Sequence, residues 1–273
     1  MGNASEFDLP AYLGRIGAGA VPSPDLPALE TLHARHLSTI PFENIDVYLG
    51  RPGGLGLEAL QSKLVRAGRG GYCFEQNTLF AAALRALGYR VRTLEARVRP
   101  PGVTAVMPRT HMVLEVEIDG RAFAADVGFG GDGPIVPIAL DGTPSEQPIG
   151  IYRVDREEGG IHVMRLSRDG VWRDLYAFTL TSAEAVDYEV AHHFTSTHPR
   201  SPFVRTLTAQ RSEPETRHIL RDRSYTVRTR GGETARVIED GQLGALLAET
   251  FGLRVGDDLL GGILEKLNRP KAE

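Results

Sequence analysis

The stretch Arg69-Gly70-Gly71-Tyr72-Cys73-Phe74-Glu75-Gln76-Asn77 contains the only cysteine in a chain of 273 residues. Gly70 and Gly71 permit a tight turn with close backbone approach, and residues 78–87 (TLFAAALRAL) are rich in strong helix formers. The spacing therefore sets Cys73 in the first turn of a helix. Unpaired backbone N–H groups and the positive end of the helix dipole favour thiolate over thiol there, which is what a sulfur nucleophile requires. A lone cysteine is otherwise most simply a small buried hydrophobe. Two features set Cys73 apart from that: the glycines before it and a partner hairpin further along the chain.

Upstream of this stretch the apolar period is helical. Leu9, Tyr12, Leu13 and Ile16 recur at near-helical spacing, residues 22–27 read as a turn, residues 26–37 as a second helix and residues 57–65 as a short amphipathic one. His33 and His36 lie on the second helix without an acidic or thiol partner nearby in sequence, and read as solvated or cap-proximal side chains rather than ligands. Residues 40–45 (IPFENI) read as an extended linker. Everything up to about Tyr89 forms a helical lobe that ends in the cysteine helix.

Downstream the period drops to two. Residues 90–98 alternate, and residues 111–118 alternate more clearly, with Met112, Leu114, Val116 and Ile118 on one face and His111, Val113, Glu115 and Glu117 on the other. Asp119-Gly120 is a strong two-residue hairpin signal, with residues 121–127 returning. If Ile118 faces Arg121, Asp126 falls opposite Val113 and shares its face with His111. The two are diagonal neighbours with backbones roughly 7–8 Å apart, a gap that imidazole and carboxylate can close. A carboxylate that fixes the imidazole tautomer, with the other ring nitrogen facing a thiol, is what a cysteine nucleophile needs.

Directly after Asp126 come Gly128, Gly130, Gly131 and Gly133, a loop whose backbone N–H groups are expected to approach an anion, although its spacing matches no dinucleotide fingerprint. Starting two residues beyond the acid, it must border the cleft, with Phe129 as a pocket wall. Further strands are expected over residues 152–155, 161–167 and 171–179, with Trp172 in the core, then a helix over 182–191 and a hydroxyl-rich loop over 196–203. Residues 225–230 and 234–238 read as a hairpin about Gly231-Gly232, and residues 243–251 and 259–267 as closing helices. His192, His193 and His198 form a second histidine cluster with no computable carboxylate partner.

Composition narrows the class. A chain of this length buries one large core or two to three packed lobes without staples, and one cysteine closes no disulfide and builds no cysteine-rich metal site. No basic-then-apolar leader opens residues 1–10 and no window is long enough to span a bilayer, so a soluble, cytoplasmic protein with no membrane partner is expected. The net charge of −4 argues against a nucleic-acid partner, while arginines between 217 and 230 leave room for a local anionic ligand.

RGGYCFEQN at 69–77, IPFEN at 40–44, RTHMVLEV at 109–116, DVGFGG at 126–131 and STHPRSPF at 196–203 together resemble the arylamine N-acetyltransferases, in family order and across most of the chain. The resemblance implies an α+β fold of three lobes: an N-terminal helical bundle (1–90), a central antiparallel β-barrel (91–190) and a C-terminal α/β lid (191–273). A papain-like or transglutaminase-like Cys-His-Asp core joins the first two. It implies a ping-pong acyltransferase in which acetyl-coenzyme A acetylates Cys73, with His111 and Asp126 completing the triad, and an arylamine or hydrazine then takes the acetyl group. No metal or prosthetic group is expected.

In the family, coenzyme phosphates approach the loop of Gly128, Gly130 and Gly131, with Thr197 and Ser201 able to add hydroxyl contacts. Phe42, Phe129, Phe194 and Phe203 are expected to wall the acceptor pocket, and Arg69 with Glu43 to brace the cysteine turn as an ion pair. The chain departs from the family pattern at His192 and His193. A sister branch, the amide synthases that release polyketide chains from a carrier-protein thioester, shares the triad and gives an alternative donor. A non-catalytic binding module on the same fold is the alternative of another class.

Overall fold

The structure is a computed structural model that describes residues 7–19 and 23–270. Most of the stretch read for a leader, and Pro22 at the head of the first expected turn, lie outside the described residues. Helices α1 (Leu9–Arg15) and α2 (Leu26–Thr39) each open on an aspartate, Asp8 or Asp25, whose side chain accepts from the backbone N–H of Ala11 or Ala28, with proline in the first turn. Residues 40–45 are not a linker. Phe42–Glu43 is strand β1 and Ile45–Tyr48 is helix α3, because β1 finds its pairing partner about 170 positions further on, where no local reading could see it. Helix α4 (Leu57–Leu60) runs into a π-helical turn, Gln61–Arg66, held to α1 by Asp8 N donating to Gln61 Oε1 (2.6 Å) and Arg15 Nε donating to Leu64 O (3.0 Å). Helix α5 (Cys73–Ala86) closes the lobe.

The chain then becomes β: β2 (Arg90–Val98), β3 (His111–Ile118), β4 (Arg121–Ala125), β5 (Ile138–Ala139), β6 (Ser145–Gln147), β7 (Gly150–Arg156), β8 (His162–Arg168) and β9 (Val171–Ser182). Their order in the sheet is β5-β4-β3-β2-β9-β8-β7-β6, all antiparallel. The sheet curls into a near-closed barrel, and Gln147 on β6 bridges its two ends, accepting from Ile135 N at 2.7 Å and donating to Val136 O at 3.3 Å beside β5. The expected register holds, with Ile118 opposite Arg121 and left-handed φ of 50° at Asp119 and 76° at Gly120, the geometry an Asp-Gly hairpin turn requires. Trp172 is not in the core. It lies on the outside of the barrel, 37 % exposed, with the Arg153 guanidinium 4.1 Å above its ring.

Helix α6 (Ala185–Thr197) runs six residues past the expected end at Ala191, so Ser196 and Thr197 finish a helix rather than open a loop, and Pro202–Arg205 is a further short helix, α7. Strands β10 (Thr208–Ser212), β11 (Arg217–Arg221), β12 (Ser224–Thr229) and β13 (Gly232–Val237) form a second antiparallel sheet in the order β1-β10-β11-β12-β13. Gly232 pairs with Thr229, which moves the hairpin turn to Arg230-Gly231. Helices α8 (Asp240–Glu249) and α9 (Asp257–Asn268) end the fold.

Three apolar clusters hold it together. The alternation of β3 feeds two of them: Met112, Leu114, Val116 and Ile118 pack with the helices, while Val113 joins Tyr152, Met164 and Tyr176 inside the barrel. The third sets Ile45 and Tyr48 of α3 against Leu220 of the C-terminal sheet, Leu247 of α8 and Phe251 just beyond it.

Candidate active site

Cys73 is the first residue of α5 and is 3 % exposed. The turn before it works by close approach: a Cβ on Gly70 would run into the carbonyl of Pro41, and one on Gly71 would lie 2.8 Å from the Glu75 side chain. Glu75 reaches back to accept from Tyr72 N at 3.1 Å and so caps the helix. Asn77, one turn beyond Cys73, faces the hairpin. It donates to Met112 O (2.7 Å) and Asp126 Oδ1 (2.9 Å) and accepts from Val127 N (3.0 Å), locking α5 to the strands that carry the other two candidate residues.

His111 opens β3 and Asp126 lies one residue beyond β4. His111 Nε2 stands 2.7 Å from Asp126 Oδ2, both groups being buried, and Cys73 lies near enough to the imidazole to help raise its pKa. The Cys73 thiol also points to Thr110 O at 3.6 Å. Burial alone would drive the His111 pKa down, but the Asp126 charge, the hydrogen bond to Asp126 and the nearness of Cys73 outweigh it and push it up to about 10. Burial opposes ionisation of Asp126 as well; the charge of His111 and hydrogen bonds from His111, Asn77 and Gly128 nevertheless hold its carboxyl below the usual range. The geometry therefore suits transfer of the thiol proton onto an imidazole stabilised by a buried carboxylate.

Around this centre the ring of Phe129 meets His111 edge-on at 5.4 Å, and Tyr176 packs against both. Phe42 and Phe203 touch each other at 5.7 Å, and Phe203 touches Tyr72 at 5.6 Å, beside the nucleophile turn. Phe194 stands apart from them, stacked on His198. A cleft of about 570 Å³ lies along the strands that flank His111, lined by Arg97, Arg109 and Phe178 among others but by none of Cys73, His111 and Asp126.

The glycine loop has less to offer an anion than its composition promised. Gly128 N donates to Asp126 Oδ1 at 2.9 Å and Gly131 N donates to Gln210 Oε1 at 2.5 Å. What the glycines supply is proximity: a Cβ on Gly128 would lie 2.7 Å from the Cα of Cys73, and one on Gly130 (φ +90°) 2.5 Å from Gln210. Thr197 and Ser201 are occupied too, donating to His193 O (2.6 Å) and Thr195 O, with Ser201 buried as the cap of α7. Of the arginines between 217 and 230, Arg217 is wholly buried, and Arg228 is paired with Asp132 and Glu233.

Arg69 and Glu43 meet through Nε and Nη2 at 2.9 and 2.7 Å, with Glu43 fully buried. Asp46, Lys63 and Glu75 extend the pair into a five-charge cluster beneath the cysteine turn. His33 and His36 are not solvated. Both are fully buried, and burial pushes their pKa values down to about 4 and about 3. His36 bonds Tyr12 and Gln76, and His33 reaches Asp126 itself, accepting from its backbone N–H at 3.0 Å. His192 bonds the Tyr72 hydroxyl and Gly53 O, tying α6 to the nucleophile turn. Among the described residues no group of three or more His, Cys, Asp or Glu could hold a metal ion.

The chain is similar to known proteins along most of its length. A family model described as N-acetyltransferase matches residues 25–260. An arylamine N-acetyltransferase of Mycobacterium tuberculosis H37Rv is 39 % identical over 267 residues, covering 95 % of this chain and 94 % of that protein. An arylamine N-acetyltransferase / N-hydroxyarylamine O-acetyltransferase of Salmonella typhimurium is 36 % identical over 253 residues, 91 % and 90 % of the two chains. Among solved structures, the M. marinum arylamine N-acetyltransferase in complex with CoA superposes with a TM-score of 0.89 at 36 % identity, covering 96 % of this chain and 98 % of that one. The S. typhimurium enzyme gives 0.90 at 32 % identity, with 95 % and 97 % covered. With both fold and sequence matched over nearly the whole length, the chain belongs to the arylamine N-acetyltransferase family.

Proposed function

We propose that the protein moves an acetyl group from acetyl-coenzyme A, through a thioester on Cys73, to the nitrogen of an arylamine or arylhydrazine. The observation that carries this reading is the buried His111–Asp126 pair, 2.7 Å apart, set beside Cys73 where Asn77 of the cysteine helix locks onto the hairpin. His111 directs Nε2 at the carboxylate, which leaves Nδ1 to take the thiol proton. The Cys73 sulfur attacks the donor carbonyl, the bond from that carbon to the coenzyme sulfur breaks, and His111 gives its proton to the departing sulfur. In the second half the acceptor nitrogen attacks the carbonyl carbon of acetylated Cys73. His111 takes a proton from that nitrogen, and the new C–N bond replaces the C–S bond as Cys73 leaves.

The coenzyme is proposed to pass Gly128, Gly130 and Gly131, with Thr197 and Ser201 at the rim. Because the amides of Gly128 and Gly131 are already engaged, the loop contributes close backbone approach rather than free donors. Phe42, Phe129 and Phe203 are proposed to wall the acceptor pocket, a reading supported by their ring contacts beside Tyr72 and His111. We place lobe boundaries near residues 90 and 190, and the protein in the cytoplasm, where an unpaired thiol stays reduced. No helix among the described residues is long and apolar enough to cross a membrane.

Intact mass after incubation with acetyl-coenzyme A tests the reading. The expected result is a gain of one acetyl group on Cys73, removed by an added arylamine. An unmodified Cys73 overturns it for this donor; loading of Cys73 from an acyl carrier-protein thioester instead would assign the chain to amide synthesis.

A further inference from the structure

His33 lies on α2, outside the elements that bear Cys73, His111 and Asp126, and its two ring nitrogens make bonds of opposite sense. Nε2 is 3.0 Å from Asp126 N, a group that can only donate, and Nδ1 is 2.7 Å from Ile135 O, a group that can only accept. The two partners together fix one neutral tautomer, with the proton on Nδ1. Asp126 needs such a partner because of where it stands. By the alternation of the hairpin the Asp126 N–H points away from β3, toward the β5 side, where the β4–β5 ladder stops at Ala124 opposite Ile138, so this buried N–H has no ladder carbonyl to receive it.

We propose that His33 is a positioning residue for acetyl transfer: it pins the main chain of Asp126 where β4 ends, and thereby sets the carboxylate that orients His111. The carboxylate has tethers of its own, Asn77 and Gly128 on Oδ1 and His111 on Oδ2. Those hold the side chain. His33 holds the Asp126 N–H itself, as Asn77 holds that of Val127 one residue on, and it does so from a helix that also touches α5, its ring meeting Phe80 edge-on at 5.8 Å. His33 thus sits between the lobe that carries the nucleophile and the strand end that carries the acid. A displacement on the order of 1 Å in such a constellation costs about 10²-fold in rate.

This inference rests on Cys73, His111 and Asp126 being the reacting groups, and its test is chosen to fail separately from that reading. His33→Leu removes both bonds while keeping an apolar side chain. His33→Gln offers a carbonyl to Asp126 N and an amide to Ile135 O. The rate of Cys73 acylation by p-nitrophenyl acetate is measured in a single turnover below the melting temperature of every variant, together with KM for acetyl-coenzyme A. The expected result is a fall in acylation of about 10²-fold for His33→Leu with KM unchanged, and recovery of most of it in His33→Gln. Lower melting temperatures with wild-type acylation, or equal loss in both variants, overturn the proposal while leaving the function intact. Failure of p-nitrophenyl acetate to acylate wild-type Cys73 overturns both. Should His33→Leu not fold, the ¹⁵N shifts of His33 in the wild type decide: a neutral ring protonated on Nδ1 supports the assignment, and the other tautomer or an imidazolium overturns it.

Discussion

At the scale of single residues, a buried imidazole is charged or neutral according to what faces it. His111 faces a carboxylate and is raised to about 10; His33 and His36 face a carbonyl, an amide, a phenol and a backbone N–H, and are lowered. Asp126→Asn removes the charge that stabilises imidazolium while nearly preserving shape. The expected outcome is turnover reduced by about 10⁴-fold with the fold retained, checked by steady-state kinetics beside a thermal melt. The same substitution bears on stability. A histidine with a folded pKa above its unfolded value stabilises the protein fully below about pH 6.5, and that contribution fades as pH rises through about 10. Wild type should therefore lose more stability than Asp126→Asn between neutral pH and pH 10, as denaturant titrations would show. Cys73, His111 and Asp126 were legible in the sequence because one cysteine, two glycines and one Asp-Gly turn fix them. His33, expected to be solvated, is buried instead, and the signal for that is the apolar stripe: Leu29, Leu32, His33, His36 and Leu37 share the buried face of α2. Acidic neighbours in sequence, the mark of a ligand histidine, say nothing of that stripe.

At the scale of elements, the cysteine turn depends on charges it brings under the helix. Glu43 is fully buried, so deleting its partner leaves a buried carboxylate facing Asp46 and Glu75 with only Lys63 to balance three acids. Arg69→Gln is expected to cost about 3–5 kcal/mol, read as a lower denaturation midpoint; an unchanged midpoint would contradict it. The glycine loop makes a separate claim. Gly128→Ala drives a methyl group against the Cα of Cys73 and the Asn77 amide, so acylation by small and large thioesters alike should fall by about 10²-fold. Loss confined to acetyl-coenzyme A would instead restore the loop as a phosphate cradle. Elements with local partners are legible nearly to their bounds: the β3–β4 register holds although β4 ends at Ala125 rather than at residue 127, and the β12–β13 turn falls one residue early. Those with distant partners were not: β1 looked like linker, and α6 was cut short because its last turns carry histidines, serine and threonine, which have weak helix preference.

At the scale of the molecule, two neutral histidines in the helical lobe make acid the weak side. A histidine with a folded pKa below its unfolded value costs stability as pH falls from about 6.5 toward the folded value, by about 1.4 kcal/mol per pH unit for each group. Stability should thus decline from pH 6.5 to about 4 with a slope near twice that of one histidine, and His36→Gln should flatten it; a pH series of denaturant midpoints would test this. The three-lobed plan was legible from the change of period near residue 90 and from the ordered motifs. What could not be read was how the lobes share parts. Strand β1 is the clearest instance: Glu43 N bonds Gly71 O at 3.0 Å, beside the nucleophile, while Phe42 pairs with Gln210 on its other side. A ribosome delivers residue 42 long before residue 210. Until the last quarter of the chain emerges, the nascent protein carries an open strand edge next to a half-built thiol site, and the biosynthetic hazards of the unfinished enzyme, edge-to-edge association and premature oxidation, are concentrated in one place.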